Sequence, residues 1–287
     1  MRLSPCLRLM IAVPWLSLFL CFPASAQTGL PDLEVECGRG VLEACFAFRY
    51  GRCAAADPQT AIGACTRQLL DRNTAWNNRP DSSLIQMDRA TQYALRGSAH
   101  AKLGDLDRAI ADYDRAIREH AGFYWIYGLR GSALFAMGRE PEALVMFNEA
   151  LNLAPNDALL LNARSRLLST ALDENVRNGA QAIADAQRAS ELVPGRPAFV
   201  AALATAYAES GDFEKAVETQ LHAIDLLDPE DQASLGPYMF RLDLYRKGEP
   251  FRRELCVKEE DAASLQDHET NGSALSSFLS FCFLVGT

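Results

Sequence analysis

The sequence has few of the residues and motifs on which enzyme chemistry depends. Only four of its 287 residues are histidines, and none of them is spaced for a metal site or a catalytic triad. The GxSxG nucleophile motif, the HExxH zinc motif and the P-loop are all missing. Asp105-x-Asp107 and Asp112-x-Asp114 offer paired carboxylates, but arginines interleave with them at helical spacing, which is typical of an ion-paired, solvated face. We therefore predict a protein that is not an enzyme and that holds no metal or cofactor.

Positive charge is also scarce in the sequence. The chain has 28 Lys and Arg against 37 Asp and Glu, a formal net charge of −9. Nucleic-acid binding and attraction to anionic membranes both depend on clustered basic residues, so we expect neither kind of partner. At 49% hydrophobic and 23% charged residues, the composition is that of an ordinary folded protein rather than a disordered one.

Long apolar runs are rare, and the most prominent one lies at the N-terminus. Residues 9–22 are almost entirely apolar, Arg2 and Arg8 are the charges around them, and Ala24-Ser25-Ala26 follows. This pattern predicts an export signal over residues 1–26, cleaved after Ala26, and hence a periplasmic or secreted protein. An uncleaved anchor helix is the alternative, but Pro14 interrupts a run shorter than the roughly 20 residues that span a bilayer. We expect no transmembrane segment in the mature chain.

Six cysteines remain once Cys6 and Cys21 leave with the signal. An even number in an oxidising compartment favours disulfide bonds. We expect one bond within the C-terminal pair and two within the N-terminal cluster, where three pairings are open. A zinc site is the alternative, disfavoured because the cysteines lack CxxC spacing and a nearby histidine. The six predicted disulfide cysteines are Cys37, Cys45, Cys53, Cys65, Cys256 and Cys282.

Two stretches of the chain are similar at a distance of 34 positions. Residues 93–104 read YALRGSAHAKLG and residues 127–138 read YGLRGSALFAMG. Each is followed by apolar residues at helical spacing, which predicts a second helix with one buried face. Gly97 and Gly131 fall within the first helices, where glycine costs about 1 kcal/mol relative to alanine. A glycine repeated at this position predicts a close approach between helices.

This pattern resembles the tetratricopeptide repeat, a helix–turn–helix unit of 34 residues. The third unit is irregular, with a first helix at about 158–170 and an inserted turn at 172–179, and a fourth unit follows. The resemblance implies an all-α fold in which the units stack into a right-handed superhelical array. It is carried by Tyr93, Gly97, Gly104, Ala109, Tyr113 and Ala116 in the first unit, and by Tyr127, Gly131, Leu134, Gly138, Ala143, Phe147, Ala150 and Pro155 in the second.

We divide the chain into four parts: the signal (1–26), a Cys-rich helical cap with a degenerate repeat (27–88), the repeat array (89–246) and a polar tail (247–287). The placement of Cys45 and Cys65 resembles Sel1-like repeats, which implies a disulfide-stapled cap. Closing a loop of about 20 residues contributes on the order of 3 kcal/mol. The apolar segment Ala274–Val285 is predicted to be a capping helix tied by Cys282. A membrane-surface or partner-binding helix is the alternative for this segment.

The resemblance also implies that the first helices line a concave groove that binds a peptide or a partner helix. Small residues are predicted to form its floor: Ala94, Ala101, Gly128, Ser169, Ala201 and Ala208. Ala94 and Ser98 stand where some family members have the Lys and Asn that clamp a C-terminal carboxylate, which argues against that mode. Trp125 and Phe135 either line the groove or belong to the core between repeats. The predicted groove residues are Thr91, Ser98, Trp125, Ser132, Phe135, Asn162, Arg166 and Thr205.

Three functions are compatible with these features. The first is a non-enzymatic scaffold or adapter that binds a protein or peptide partner in the groove, after export. The second is a structural or assembly protein that self-associates through the convex face or the C-terminal tail. The third is a cell-wall or β-lactam-binding enzyme, which rests only on the Sel1-like resemblance. The sequence predicts the first.

Overall fold

The structure is a computed structural model that describes residues 57–70, 82–228 and 232–252. The chain divides into two compact units, residues 1–73 and residues 74–287. In the first unit the structure describes one helix, α1 (Pro58–Leu70). The Asp57 carboxylate accepts a hydrogen bond from the Thr60 N–H at 2.8 Å and so satisfies a free donor at the start of this helix. Cys65 is fully buried and disulfide-bonded.

Several predictions concern residues outside the described part of the chain. These are the signal at 1–26, the apolar segment Ala274–Val285 and the cysteines Cys37, Cys45, Cys53, Cys256 and Cys282. The cysteine bonded to Cys65 also lies outside the described residues. The connectivity of the disulfides therefore stays a prediction.

The described part of the second unit is made of helices, with no strand. Alternate helices belong to two layers, because each first helix of a pair contacts its own second helix and also the first helix of the next pair. The pairs are α2/α3, α4/α5, α6/α7 and α8/α9, and α10 follows them. The helices are α2 (Ser82–Lys102), α3 (Leu106–Glu119), α4 (Tyr124–Ala136), α5 (Glu140–Leu153), α6 (Ala158–Thr170), α7 (Gly179–Leu192), α8 (Pro197–Glu209), α9 (Phe213–Asp225) and α10 (Gln232–Arg246).

The turns within the pairs follow from local sequence. Gly104 and Gly138 adopt φ of 77° directly after α2 and α4, in a region that favours glycine over residues with a Cβ. The Asp105 carboxylate then accepts from the Arg108 N–H at 3.3 Å, and Pro141 lies in the first turn of α5. Both residues are favoured at the start of a helix.

The core of each regular pair is a ring of the second helix packed on a glycine of the first. Tyr113 and Phe147 are each 1% exposed. A Cβ at Gly97 would lie 2.8 Å from the Tyr113 ring, and a Cβ at Gly131 would lie 2.9 Å from the Phe147 ring. The predicted close approach is confirmed, since only the missing side chain lets the ring reach the helix backbone.

The irregular third unit is held by a carboxylate from the second unit. Its first helix, α6, has the predicted bounds, and the inserted turn lies between Thr170 and Gly179. Glu140, which begins α5, is 2% exposed. Its two oxygens accept from the Leu172 N–H at 3.0 Å and the Asp173 N–H at 2.9 Å. These bonds fix the inserted turn, because they satisfy two backbone donors that lie outside any described helix.

We expect Glu140→Ala to lower the free energy of unfolding by about 1–2 kcal/mol, since it leaves two turn N–H groups without an acceptor. Glu149→Ala changes an exposed residue of the same helix and is the matched control, with little expected effect. Urea unfolding gives the size of the loss, and hydrogen exchange locates it. Faster exchange at residues 171–178 in the Glu140 variant is the expected sign. Unchanged exchange there would contradict this role for Glu140.

The last helix, α10, closes the array by packing on α8 and α9. The Tyr245 hydroxyl donates to Thr205 Oγ1 at 3.0 Å, and Gln220 Nε2 donates to the Tyr238 carbonyl at 2.9 Å. A terminal repeat has no further neighbour to cover it, and α10 supplies that cover for α8. Of the helices that the structure describes, none combines the length and the apolar character needed to cross a membrane.

Candidate functional site

Residues at equal positions of the first helices form four rows across the array. The rows contain the second, fifth, ninth and twelfth residues of α4, α6 and α8, with the matching residues of α2. From the N-terminal ends of the helices, the rows are Thr91, Trp125, Leu159 and Ala198; Ala94, Gly128, Asn162 and Ala201; Ser98, Ser132, Arg166 and Thr205; and Ala101, Phe135, Ser169 and Ala208. We call the exposed part of these rows on α2, α4 and α6 the first-helix face.

Most residues of the second row are buried in the packing between the first helices. Ala94 and Ala201 are buried, and a Cβ at Gly128 would collide with Leu160 Cδ2. Asn162 is the exception, because its residue is only partly buried and its Oδ1 is a buried atom that accepts no hydrogen bond. An unpaired carbonyl oxygen is costly to bury, so Asn162 is the candidate acceptor of this row.

The first row provides an apolar surface. Trp125 packs against the core and against Phe123, with 5.8 Å between ring centroids, yet it keeps part of its surface exposed. Leu159, at the equivalent position of the neighbouring helix, is 50% exposed. Leu159 had been overlooked in the sequence, although it lies 34 residues after Trp125.

The alternatives of groove and core for Trp125 and Phe135 are not exclusive. Phe135 is also partly buried, and it too packs against the core cluster. An aromatic ring is large enough to fill a core gap with one edge and to present the other to a partner. Both residues stay candidates for the binding surface.

The third row is polar, and its hydroxyl groups differ in their surroundings. Ser98 Oγ accepts from the Tyr113 hydroxyl at 3.2 Å. Burial raises the pKa of Tyr113 to about 12, so this phenol keeps its proton and stays the donor. The Thr91 hydroxyl of the first row donates to the Met87 carbonyl at 2.9 Å. Ser132 is partly exposed.

Arg166 places a positive charge near α10. Burial raises the pKa of Tyr238, while Arg241 and Arg166 act in the opposite direction, so both guanidinium groups lie within electrostatic reach of this ring. The Arg241 guanidinium is 4.9 Å from the Tyr238 ring centroid. Both arginines are partly exposed.

The fourth unit contributes little to the accessible part of these rows, since Ala198 is the one partly exposed residue among its four members. Thr205 is buried, donates to the Ala201 carbonyl at 2.9 Å and accepts from Tyr245. Ala208 is buried as well, and so is Ser169, its neighbour in the row on the third unit. The structure therefore places Thr205 in the packing between α8 and α10 and not on the exposed surface. The sequence carried no repeat signal beyond α9 that would have predicted this cover.

Buried ion pairs hold the first helices on the second ones. Arg96 donates to both oxygens of Asp112 at 2.7 Å, and Arg164 donates to those of Asp185 at 2.7 and 2.8 Å. The ion pairing predicted for Asp112 is present, but the prediction of a solvated face was wrong there. Asp112 is buried because its main partner lies on the neighbouring helix. In the described part of the chain, no three His, Cys, Asp or Glu side chains come together to hold a metal.

Comparisons with known proteins agree with this architecture. Two tetratricopeptide repeat family models match residues 100–167 and residues 199–226. A tetratricopeptide repeat protein from Parabacteroides merdae is 14% identical over 89% of this chain and 99% of its own, with a TM-score of 0.51. A thermophilic repeat protein from Thermus thermophilus is 18% identical over 67% of this chain and 90% of its own (TM-score 0.46). Among curated proteins, none matches the sequence.

MamA from Desulfovibrio magneticus is 20% identical over 60% of this chain and 86% of its own, with a TM-score of 0.45. At 14% identity, the likeness to the Parabacteroides merdae protein concerns the fold. Stacked helix pairs with a shared first-helix layer define a helical-repeat protein. The repeat unit is the 34-residue tetratricopeptide repeat, which the two family models match over residues 100–167 and 199–226.

Proposed function

We propose that this protein is an interaction scaffold that binds a protein or peptide partner on the first-helix face. The observation that carries the proposal is the apolar pair of the partly exposed Trp125 and the half-exposed Leu159, at equivalent positions of two contacting helices. Helical-repeat proteins use such extended faces for binding. Buried aromatic anchors supply much of the affinity in protein interfaces.

The polar groups beside this pair indicate what the partner presents. An apolar side chain would cover Trp125 and Leu159, an N–H donor would pair with Asn162 Oδ1, and an acidic group would meet Arg166. An extended peptide and an amphipathic helix both offer such a set. The net charge of −9 adds no general attraction for nucleic acid.

A paired-variant binding experiment tests this function. The double change Trp125→Ala and Leu159→Ala removes the apolar pair. Val145→Ala with Leu153→Ala removes two side chains that are equally exposed, at 52% and 51%, on the second helix α5. We expect the first variant to bind the partner isolated from the native cell about 30-fold more weakly than wild type, as for a hot spot of about 2 kcal/mol. The second variant is expected to bind like wild type.

Weaker binding by the Val145→Ala, Leu153→Ala variant alone would favour assembly through the surface formed by the second helices. The exposed Val145 and Leu153 are the observation behind this second candidate. It predicts a mass that rises with concentration in wild type and stays monomeric in the α5 variant. Equal binding by both variants would contradict a role for Trp125 and Leu159 in binding the partner.

We propose further that the scaffold acts after export to the periplasm or the outside of the cell. N-terminal sequencing of the protein from its native cell is expected to begin at Gln27. Cleavage there removes Arg2 and Arg8 with the signal. Replacing Ala24 and Ala26 by leucine removes the small residues that the peptidase needs, and a slower-migrating precursor is expected to accumulate. A chain that still begins at residue 1 or 2 in wild type would contradict this proposal.

A further inference from the structure

The chain turns back along the array after its last described helix. Gly248 follows α10 with φ of 73°, and the Glu249 N–H donates to the Leu244 carbonyl at 3.0 Å. Phe251 then packs edge-on against Phe240, with 6.4 Å between centroids. The chain is thereby directed away from the open end of α10 and toward the earlier helices.

Arg252 shows how far this return goes. Its Nη1 lies 2.5 Å from Glu209 Oε2, at the C-terminal end of α8. The same atom donates to the Ser169 carbonyl, near the end of α6, at 3.3 Å. Ala208, Ser169 and Phe135 belong to one row, so the Arg252 side chain reaches from the fourth unit to the third. The next member of that row is Phe135 on α4.

The sequence that follows matches the surface ahead of it. Between Glu254 and Glu269 there are six acidic residues and one base, Lys258, and the nearby face carries Arg166 and Arg241. The segment at 274–285 is apolar and contains three phenylalanines, and the face beyond carries Trp125 and Leu159. In the sequence the acidic residues come before the apolar ones, and on the structure the arginines lie nearer to Arg252 than the apolar pair does.

The distance is within reach of the chain. Ala274 lies 22 residues after Arg252, and a flexible chain of this length spans about 25 Å. Neighbouring first helices are about 10 Å apart. The predicted Cys256–Cys282 bond would hold the apolar segment close to Arg252. A tethered segment is present at millimolar effective concentration, on the order of that for short flexible linkers.

We propose that residues 274–285 bind the first-helix face of their own chain and compete there with the protein partner. The acidic residues at 254–269 guide the segment past Arg166 and Arg241, and its phenylalanines cover Trp125 and Leu159. A partner that binds the same face would displace the segment. The competition rests on the proposed function, whereas the contact within the chain does not.

Photo-crosslinking of the purified full-length chain tests the contact. A benzophenone side chain replaces Leu159, and in a control protein it replaces Val145 on the other layer. Both positions are about half exposed, so neither change should unfold the array. After irradiation at low micromolar concentration, we expect adducts to residues 274–285 within one chain, at about five times the control yield.

A variant of the segment checks the chemistry of the contact. Phe281→Asp with Phe283→Asp places charges in the apolar segment, outside the repeat array, and is expected to lower the Leu159 adduct about fivefold. Absence of adducts, adducts that join two chains, or an undiminished yield in this variant would each overturn the proposal. Because the purified protein contains no partner, such a failure leaves the proposed function standing. If the Trp125→Ala, Leu159→Ala variant bound the partner as wild type does, while the Leu159 adduct within the chain still formed, the result would contradict the proposed function alone.

Discussion

Arg164→Ala is expected to lower the free energy of unfolding by about 3–5 kcal/mol, the usual cost of leaving a buried charge without its partner. Asp185 is 3% exposed, and Arg164 holds both of its oxygens. Arg164 also donates to Asn148 Oδ1 at 2.8 Å, so one guanidinium joins α5, α6 and α7. Urea unfolding with hydrogen exchange of α6 and α7 measures the loss.

Two further variants separate this effect from a general loss of charge. Arg188→Ala breaks an exposed pair with Glu191 on α7 and is expected to cost less than about 1 kcal/mol. Arg164→Met combined with Asp185→Leu removes both buried charges, and the double variant should recover most of the stability. A loss below about 1 kcal/mol for Arg164→Ala would show that Asp185 finds water or another partner.

Gly131→Ala is expected to lower the free energy of unfolding by about 2–3 kcal/mol, because the steric cost outweighs the gain of about 1 kcal/mol from helix propensity. The new Cβ would lie 2.9 and 3.0 Å from two atoms of the Phe147 ring and 3.3 Å from Met146 Cβ. Phe147 is fully enclosed, so the ring cannot swing away. Thermal or urea unfolding gives the size of the change.

A second-site change tests whether the ring is the cause. Phe147→Leu makes room at the contact, so the two changes together should cost less than the sum of each alone, with a coupling of about 1 kcal/mol. Ser132→Ala, the next residue along α4, is the matched control and should shift stability by less than about 0.5 kcal/mol. Strict additivity of Gly131→Ala and Phe147→Leu would contradict the close-approach account.

The regular repeats could be predicted because the residues that make the contacts recur at a fixed period. Gly97 and Tyr113 in one unit correspond to Gly131 and Phe147 in the next, and the structure places each pair in contact. The same period predicts which residues share a row. Adding one period of 34 residues to position 125 gives Leu159, so the period also places Leu159 in the row of Trp125.

Contacts between residues outside that period could not be read from the sequence. Glu140 caps a turn 32 residues further on, and no local pattern marks an acid at the start of a helix as the partner of a distant turn. Asp112 was read with arginines of its own helix, whereas its bidentate partner Arg96 is 16 residues away on another helix. Thr205 was placed on the surface because α10 lies after the last recognisable repeat, and the sequence did not show which helix it covers.

The central claim is that the first-helix face contacts a partner, and crosslinking in the native cell tests it most directly. A photoreactive phenylalanine analogue replaces Trp125 in the protein expressed in its native cell, and the control protein carries it at Val145 on α5. The account predicts one dominant captured protein from position 125 and little of it from position 145. Capture from position 145 alone, or equal capture from both positions, would contradict binding on the first-helix face.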